Sequence, residues 1–243
     1  MFSRDDRHVA HVSGRTPRIS RSLDIDPPIS SSPQEQNSLE AVAKDVFAST
    51  ACKPTLIELN HASLVNIEIA ADRISANIDR TVILINSAAL VSLELQEIPD
   101  GLELQLSTNH IGHFYLISLL TPLLLAKKTS RVANSSSIRH KVSPTRLYDY
   151  RFTGRSIPSG EQLPPVIETD HSHNPHKGDT QRIVGNRKIW KTHDQGIATM
   201  LAAALDPKIE KDVKGGTRGG SFNDCQSEEV AEYAKDSKMT ERL

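Results

Sequence analysis

A chain of 243 residues with a formal net charge of -1 carries no bulk electrostatic footprint for nucleic acid, so a nucleic-acid partner is not expected. Hydrophobic residues make up 37%, aromatic residues only 4%, and the mean hydropathy is -0.39, so part of the chain is expected to contribute nothing to a core. The two cysteines, Cys52 and Cys225, exclude a disulfide framework and show no metal-binding spacing; reduced thiols in an intracellular protein fit them best.

Residues 1–36 are polar, with Pro17, Pro27, Pro28, Pro33 and the cluster Ser30-Ser31-Ser32. They show no sustained period of 2 or 3.6 and are expected to form a disordered leader. The first 21 residues have no apolar core for a signal peptide; their five arginines fit a mitochondrial presequence, but Asp5 and Asp6 do not. The early glycine, in Val12-Ser13-Gly14-Arg15, has no expected strand before it.

The pattern becomes regular at Asn37, which with Glu40 resembles a helix cap. Leu39, Val42, Val46 and Phe47 then share one helical face. Residues 54–59 read as a short strand. Ser63 follows as the cap of a helix whose buried face is Ile67, Ala70, Ala71, Ile74 and Ile78.

Val82-Ile83-Leu84-Ile85 is short and apolar enough for a buried strand and is broken by Asn86. A polar join at Pro99-Asp100-Gly101 leads to Thr108-Asn109-His110-Ile111-Gly112-His113-Phe114 and an apolar segment ending at Leu125. That segment is too short for a membrane span and contains His113 and Pro122, so it predicts a helix buried nearly all round. A further strand at residues 131–133 runs into Asn134-Ser135-Ser136-Ser137. Strand, helix, strand, with polar residues after each strand, predicts a βαβ unit whose ligand edge is the C-terminal end of the sheet.

Residues 141–190 contain Pro144, Pro158, Pro164, Pro165 and Pro175 and read mostly as loop. Within them, His171-Ser172-His173-Asn174-Pro175-His176 lacks a regular element to order a metal site. Thr192-His193-Asp194-Gln195 has the form of a capping box, and Ile197, Met200, Leu201 and Ala204 follow on one face before Asp206-Pro207. Gly215-Gly216-Thr217-Arg218-Gly219-Gly220 follows a charged stretch rather than a strand, which makes it a flexible turn.

These motifs resemble the short-chain dehydrogenase/reductase family, in particular its fungal branch similar to retinol dehydrogenases. Ile85-Asn86-Ser87-Ala88-Ala89 is similar to the family's Asn-Asn-Ala-Gly after the fourth strand. Residues 108–114 match the helix carrying the Asn of the catalytic tetrad, and residues 131–140 the fifth strand and catalytic Ser. The resemblance covers residues 39–152 and 191–226. It implies an α/β fold, an incomplete Rossmann-like parallel sheet with flanking helices, in residues 37–226, followed by a tail at 227–243. It also implies an NADP or NAD cofactor and a small-molecule carbonyl or alcohol substrate. Asn109 and Ser137 are the implied catalytic positions, and Glu58, Asn86 and Ala88 the implied cofactor contacts; Glu58 is equally readable as a solvated carboxylate.

Two family motifs do not match. The turn Thr-Gly-x-x-x-Gly-x-Gly, whose amides approach the cofactor pyrophosphate, is not expected in residues 1–36. The Tyr-x-x-x-Lys pair is missing: position i+4 is Leu119 after Tyr115, Phe152 after Tyr148, Gly154 after Tyr150 and Ser237 after Tyr233. Tyr150, at a common family separation from Ser137, is the best surrogate for the acid, but the segment around it reads first as a loop with a surface tyrosine. Two functions compete: an NAD(P)-dependent oxidoreductase with impaired catalysis, and a non-catalytic binding or interaction relative or truncated gene product. No membrane span is expected, the location reads as cytoplasmic, and self-association or a protein partner is the expectation for a reduced fold of this kind.

Overall fold

The computed structural model describes residues 9–12, 40–41, 43–45, 47–49, 54–81, 83–90, 96–126, 130–137, 193–209 and 220–235. Among these, three short strands form a parallel sheet in the spatial order β1 (Val9–Val12), β2 (Ile83–Asn86), β3 (Arg131–Asn134). Val9 pairs with Ile83 and Val12 with Asn86 on one side of β2; Ile83 pairs with Arg131 and Asn86 with Asn134 on the other. The described residues thus form an α/β arrangement with a parallel sheet.

All four residues of β2 are buried because both faces of the strand are covered. Alternation sends Leu84 into a core with helices α1 (Leu64–Asn77) and α2 (Gly112–Leu125), where it joins Ile67, Ala70, Leu116 and Leu120. Ile83 and Ile85 point the other way, to Ala133 and to Ala204 of helix α3 (His193–Leu205), with Met200 packed alongside.

Parallel pairing of the strands at Ile83 and Val132 agrees with the sequence reading. The strand expected around Ile57 is not formed: residues 54–60 carry no ladder, and Ile57 packs against the α1–α2 core. Its expected place is taken by β1, from within the stretch read as a leader. The physical reason is simple. Strand β2 has two edges, β3 holds one and β1 the other, so no third neighbour fits. The absence of a strand before Gly14 is corrected by the same observation.

Helix α1 begins as its sequence predicts. Ser63 accepts a hydrogen bond from Asn66 N at 3.3 Å, and Ile67, Ala70, Ala71 and Ile74 are buried, while Ile78 ends the helix half-buried. Residues 40, 41, 43–45 and 47–49 are helical, but Phe47, expected on a buried face, is 53% exposed.

Helix α2 is entered through a turn at Leu104–Leu106, capped by both carboxylate oxygens of Glu103, and a π-helical turn at Ser107–Ile111. It is buried on one face only, through Gly112, His113, Leu116, Leu120 and Leu124. Phe114 and Leu125 are 66% and 77% exposed, which corrects the expectation of burial nearly all round. In α3 the expected shared face likewise divides: Met200 and Ala204 meet the sheet, whereas Ile197 and Leu201 are exposed. Arg131 ties the end of α3 to β3 by donating to the Ala204 and Asp206 carbonyls at 3.2 and 2.9 Å.

A two-stranded hairpin, β4 (Phe222–Asn223) and β5 (Gln226–Ser227), turns through Asp224 and Cys225, both left-handed with φ of 49° and 62°. It docks on α3 where Cys225 N donates to Thr199 Oγ1 at 3.1 Å; Cys225 itself is a free, exposed thiol. No helix among the described residues is long and apolar enough to cross a membrane.

Candidate functional site

The C-terminal edge of the sheet gathers polar groups from four segments. Asn86 ends β2, where it is 2% exposed; its Nδ2 donates to Asn134 Oδ1 at 2.8 Å, and its carbonyl accepts from Ser135 N at 2.8 Å. A buried amide tied in this way to the neighbouring strand end fixes the course of the chain beyond the sheet. Four residues follow it to Leu90.

That short segment is clamped from above by the π-helical turn. Asn109 Oδ1 accepts from Leu90 N at 2.7 Å, and Asn109 Nδ2 donates to Leu90 O at 2.8 Å, the exchange two residues make across a sheet. The extra residue in a π turn aims Asn109 outward from the helix, where it remains exposed. Ala88 is buried, and its carbonyl accepts from His113 Nε2 at 2.8 Å.

The structure therefore brings Asn86, Ala88 and Asn109 together around residues 86–90. Ser137 lies three residues beyond the end of β3 and is exposed. Glu58 is not part of the grouping in the expected way; it is exposed on residues 54–60, which have no strand whose end it could occupy. Tyr150 lies outside the described residues, as do residues 171–176. Among the described residues no group of three or more metal-binding side chains occurs.

Three contributors escaped the sequence reading. Asn134 shows there only as a polar residue at a strand end. His113 stands four positions after Asn109, one helical turn on, which was the available signal for its reaching the same segment. The third is β1. It ends at Val12, so Ser13-Gly14 directly follows a strand paired with β2. At the family's spacing the two later glycines of the phosphate turn fall on Arg18 and Ser20.

The tyrosines that are described do not supply a proton-transfer group of lowered pKa. The Tyr115 hydroxyl donates to Glu68 on α1, and this bond, with burial and the carboxylate charge, pushes the phenol above its ordinary 10.0. Burial pushes the Tyr233 phenol up as well.

No family model matches the chain. It is 32% identical to retinol dehydrogenase 12 of Bos taurus over 84% of this chain and 72% of that protein. It is 26% identical to retinol dehydrogenase 14 of Mus musculus over 76% of this chain, and spans 64% of the length of that relative. A short-chain dehydrogenase of Brassica napus chloroplasts, TIC 32 B, is 30% identical over 66% of this chain and 61% of its own length. Together with the parallel sheet, these similarities place the chain in a family: it belongs to the short-chain dehydrogenases/reductases.

Proposed function

We propose that this chain is a nicotinamide-dinucleotide oxidoreductase scaffold of the fungal, retinol-dehydrogenase-like branch in which catalysis is impaired. One observation carries the reading: none of its four tyrosines is followed by lysine at the fourth position. Carbonyl reduction needs a proton for the nascent alkoxide, and a positioned proton donor is worth about 10²–10⁴-fold in rate. An unassisted phenol near 10 is a poor donor at neutral pH.

The sheet edge fits the ribose and adenine side of NADP or NAD better than the phosphate side. Asn86, Ala88 and Asn109 build a fixed rim beyond β2, and Ser137 would hold a carbonyl or alcohol oxygen of the substrate. Bound there, the cofactor would supply or accept hydride. Its pyrophosphate depends on glycine amides at a helix N-terminus, and Gly14 alone stands at the family's glycine positions, with Arg18 and Ser20 at the others. Binding and proton transfer are separate losses, so repairing one should not restore turnover. A cytoplasmic location belongs to the same reading. A non-catalytic binding relative, acting through self-association or a protein partner, is the second reading, favoured by the same missing pair.

Titration calorimetry with NADPH and NADH, and absorbance assays over a panel of aldehydes and ketones, test the proposal. The expected result is no saturable binding in the low-micromolar range, roughly the -8 kcal/mol scale, and no carbonyl-dependent oxidation. Turnover would overturn it. In that event Tyr150→Phe decides the donor, and lost activity would make Tyr150 the acid.

A further inference from the structure

Beneath the sheet edge two imidazoles lie against each other, and the proposed chemistry uses neither. The rings of His61 and His113 are 4.2 Å apart between centroids and tilted by 32°. His61 is fully buried and His113 is 8% exposed. His61 precedes the Ser63 cap of α1, and His113 sits in the first turn of α2, so the contact joins the N-terminal ends of both helices. Ser107 Oγ donates to the His61 carbonyl at 3.3 Å, and His113 Nε2 donates to the Ala88 carbonyl. That bond fixes the His113 tautomer: Nδ1 is the bare nitrogen, and it is buried without a hydrogen-bond partner. The His61 ring rests on the Gly112 backbone without a well-formed ring hydrogen bond.

A neutral ring tolerates such a place, but a charged one does not. Burial, with the neighbouring His113 ring adding to it, pushes His61 from 6.5 down to about 4, against a small opposing pull from the Gly112 backbone. His113 is also lowered by burial, with His110 adding to the effect and the Ala88 bond opposing it. Among the described residues the surrounding segments offer no compensation. His110, on the π turn, is basic. Glu103 is spent on Gln105 N and Leu106 N, Asp100 accepts from Leu64 N, and Glu68 on α1 accepts from Tyr115. Glu58 and Glu97 are exposed.

We propose that His61 and His113 form a proton-sensitive latch under the ligand edge of the sheet. Neutral, the pair clamps the starts of α1 and α2 to the Ala88 segment; protonated, it opens that junction and frees residues 87–90. The sign follows from linkage. The opened state binds protons near the ordinary histidine value and the closed state only at lower pH, so the closed form is fully favoured above about 6.5 and loses ground as pH falls. Inside its window His61 shifts the opening equilibrium by up to about 10-fold per pH unit, and His113 adds in the same direction. The latch requires no cofactor, so it stands or falls separately from the oxidoreductase reading.

The test uses the full chain with histidine ring labels, followed by nuclear magnetic resonance from about pH 7.5 to about pH 3, together with urea unfolding across the same range. The His61 and His113 rings should titrate below 6.5, and the Leu90 and Asn109 amides should broaden or exchange faster as they do. The urea midpoint of the wild type should fall with pH more steeply than that of the His61→Gln, His113→Gln double variant. In that variant the side-chain amide introduced at position 113 keeps a donor for the Ala88 carbonyl but cannot titrate. Either ring titrating at or above 6.5 in the folded chain, or identical pH slopes for the two proteins, would overturn the latch. If the double variant does not fold, the ring titration of the wild type decides alone.

Discussion

At the scale of single residues, Gly112 shows how much of the candidate site depends on one absent methyl group. A Cβ there would stand 2.9 Å from His61 Cβ, Nδ1 and O, closer than such contacts are made. Gly112→Ala in a helix would ordinarily stabilise by about 1 kcal/mol. Here overpacking against a buried ring costs about 1–3 kcal/mol and should win. Urea unfolding at pH 7.5 should therefore show a net loss, and a stabilised variant would mean that His61 yields easily. Nothing in the sequence around His61 announces this contact, because its partners come from α2, far along the chain. Asn109 was legible as part of the segment leading into α2. Its double bond to the Leu90 backbone was not, since that depends on the π turn that re-aims it.

At the scale of elements, legibility followed how much of each signal was local. Helix α1 could be read because its cap and its buried stripe both lie within its own residues. Its cap gives a direct check: Ser63→Ala removes the acceptor for Asn66 N and should cost about 1 kcal/mol in a denaturant titration. An unchanged midpoint would mean that the Asp100 side chain, which already accepts from Leu64 N, suffices to hold the helix start. Strands β2 and β3 were legible as apolar runs ending in asparagine or serine. Residues 54–59 carry a similar run yet form no strand, and Val9–Val12 carry a weaker one yet do. The difference is the neighbour each finds, which belongs to the sheet and not to the segment.

At the scale of the whole molecule, β1 decides whether β2 is a central strand or an edge. With β1 paired, the fully buried β2 is covered on both sides and the ligand edge spans three strands, with Val12 beside Asn86. Without it, an apolar strand would offer unpaired backbone groups to other chains. Proline scanning separates the two cases. Along a strand, successive N–H groups point to opposite sides, so of two adjacent residues in edge strand β1 one directs its N–H toward β2. Proline at that residue removes a ladder bond, worth about 0.5–1.5 kcal/mol net, and cannot keep the strand in register without further cost. Ala10→Pro and His11→Pro should therefore behave unequally. One should lose more than about 1 kcal/mol of stability and gain dye-detectable apolar surface, while the other, facing outward, should lose much less. Equal and negligible effects from both would mean that β1 does not hold the edge of β2.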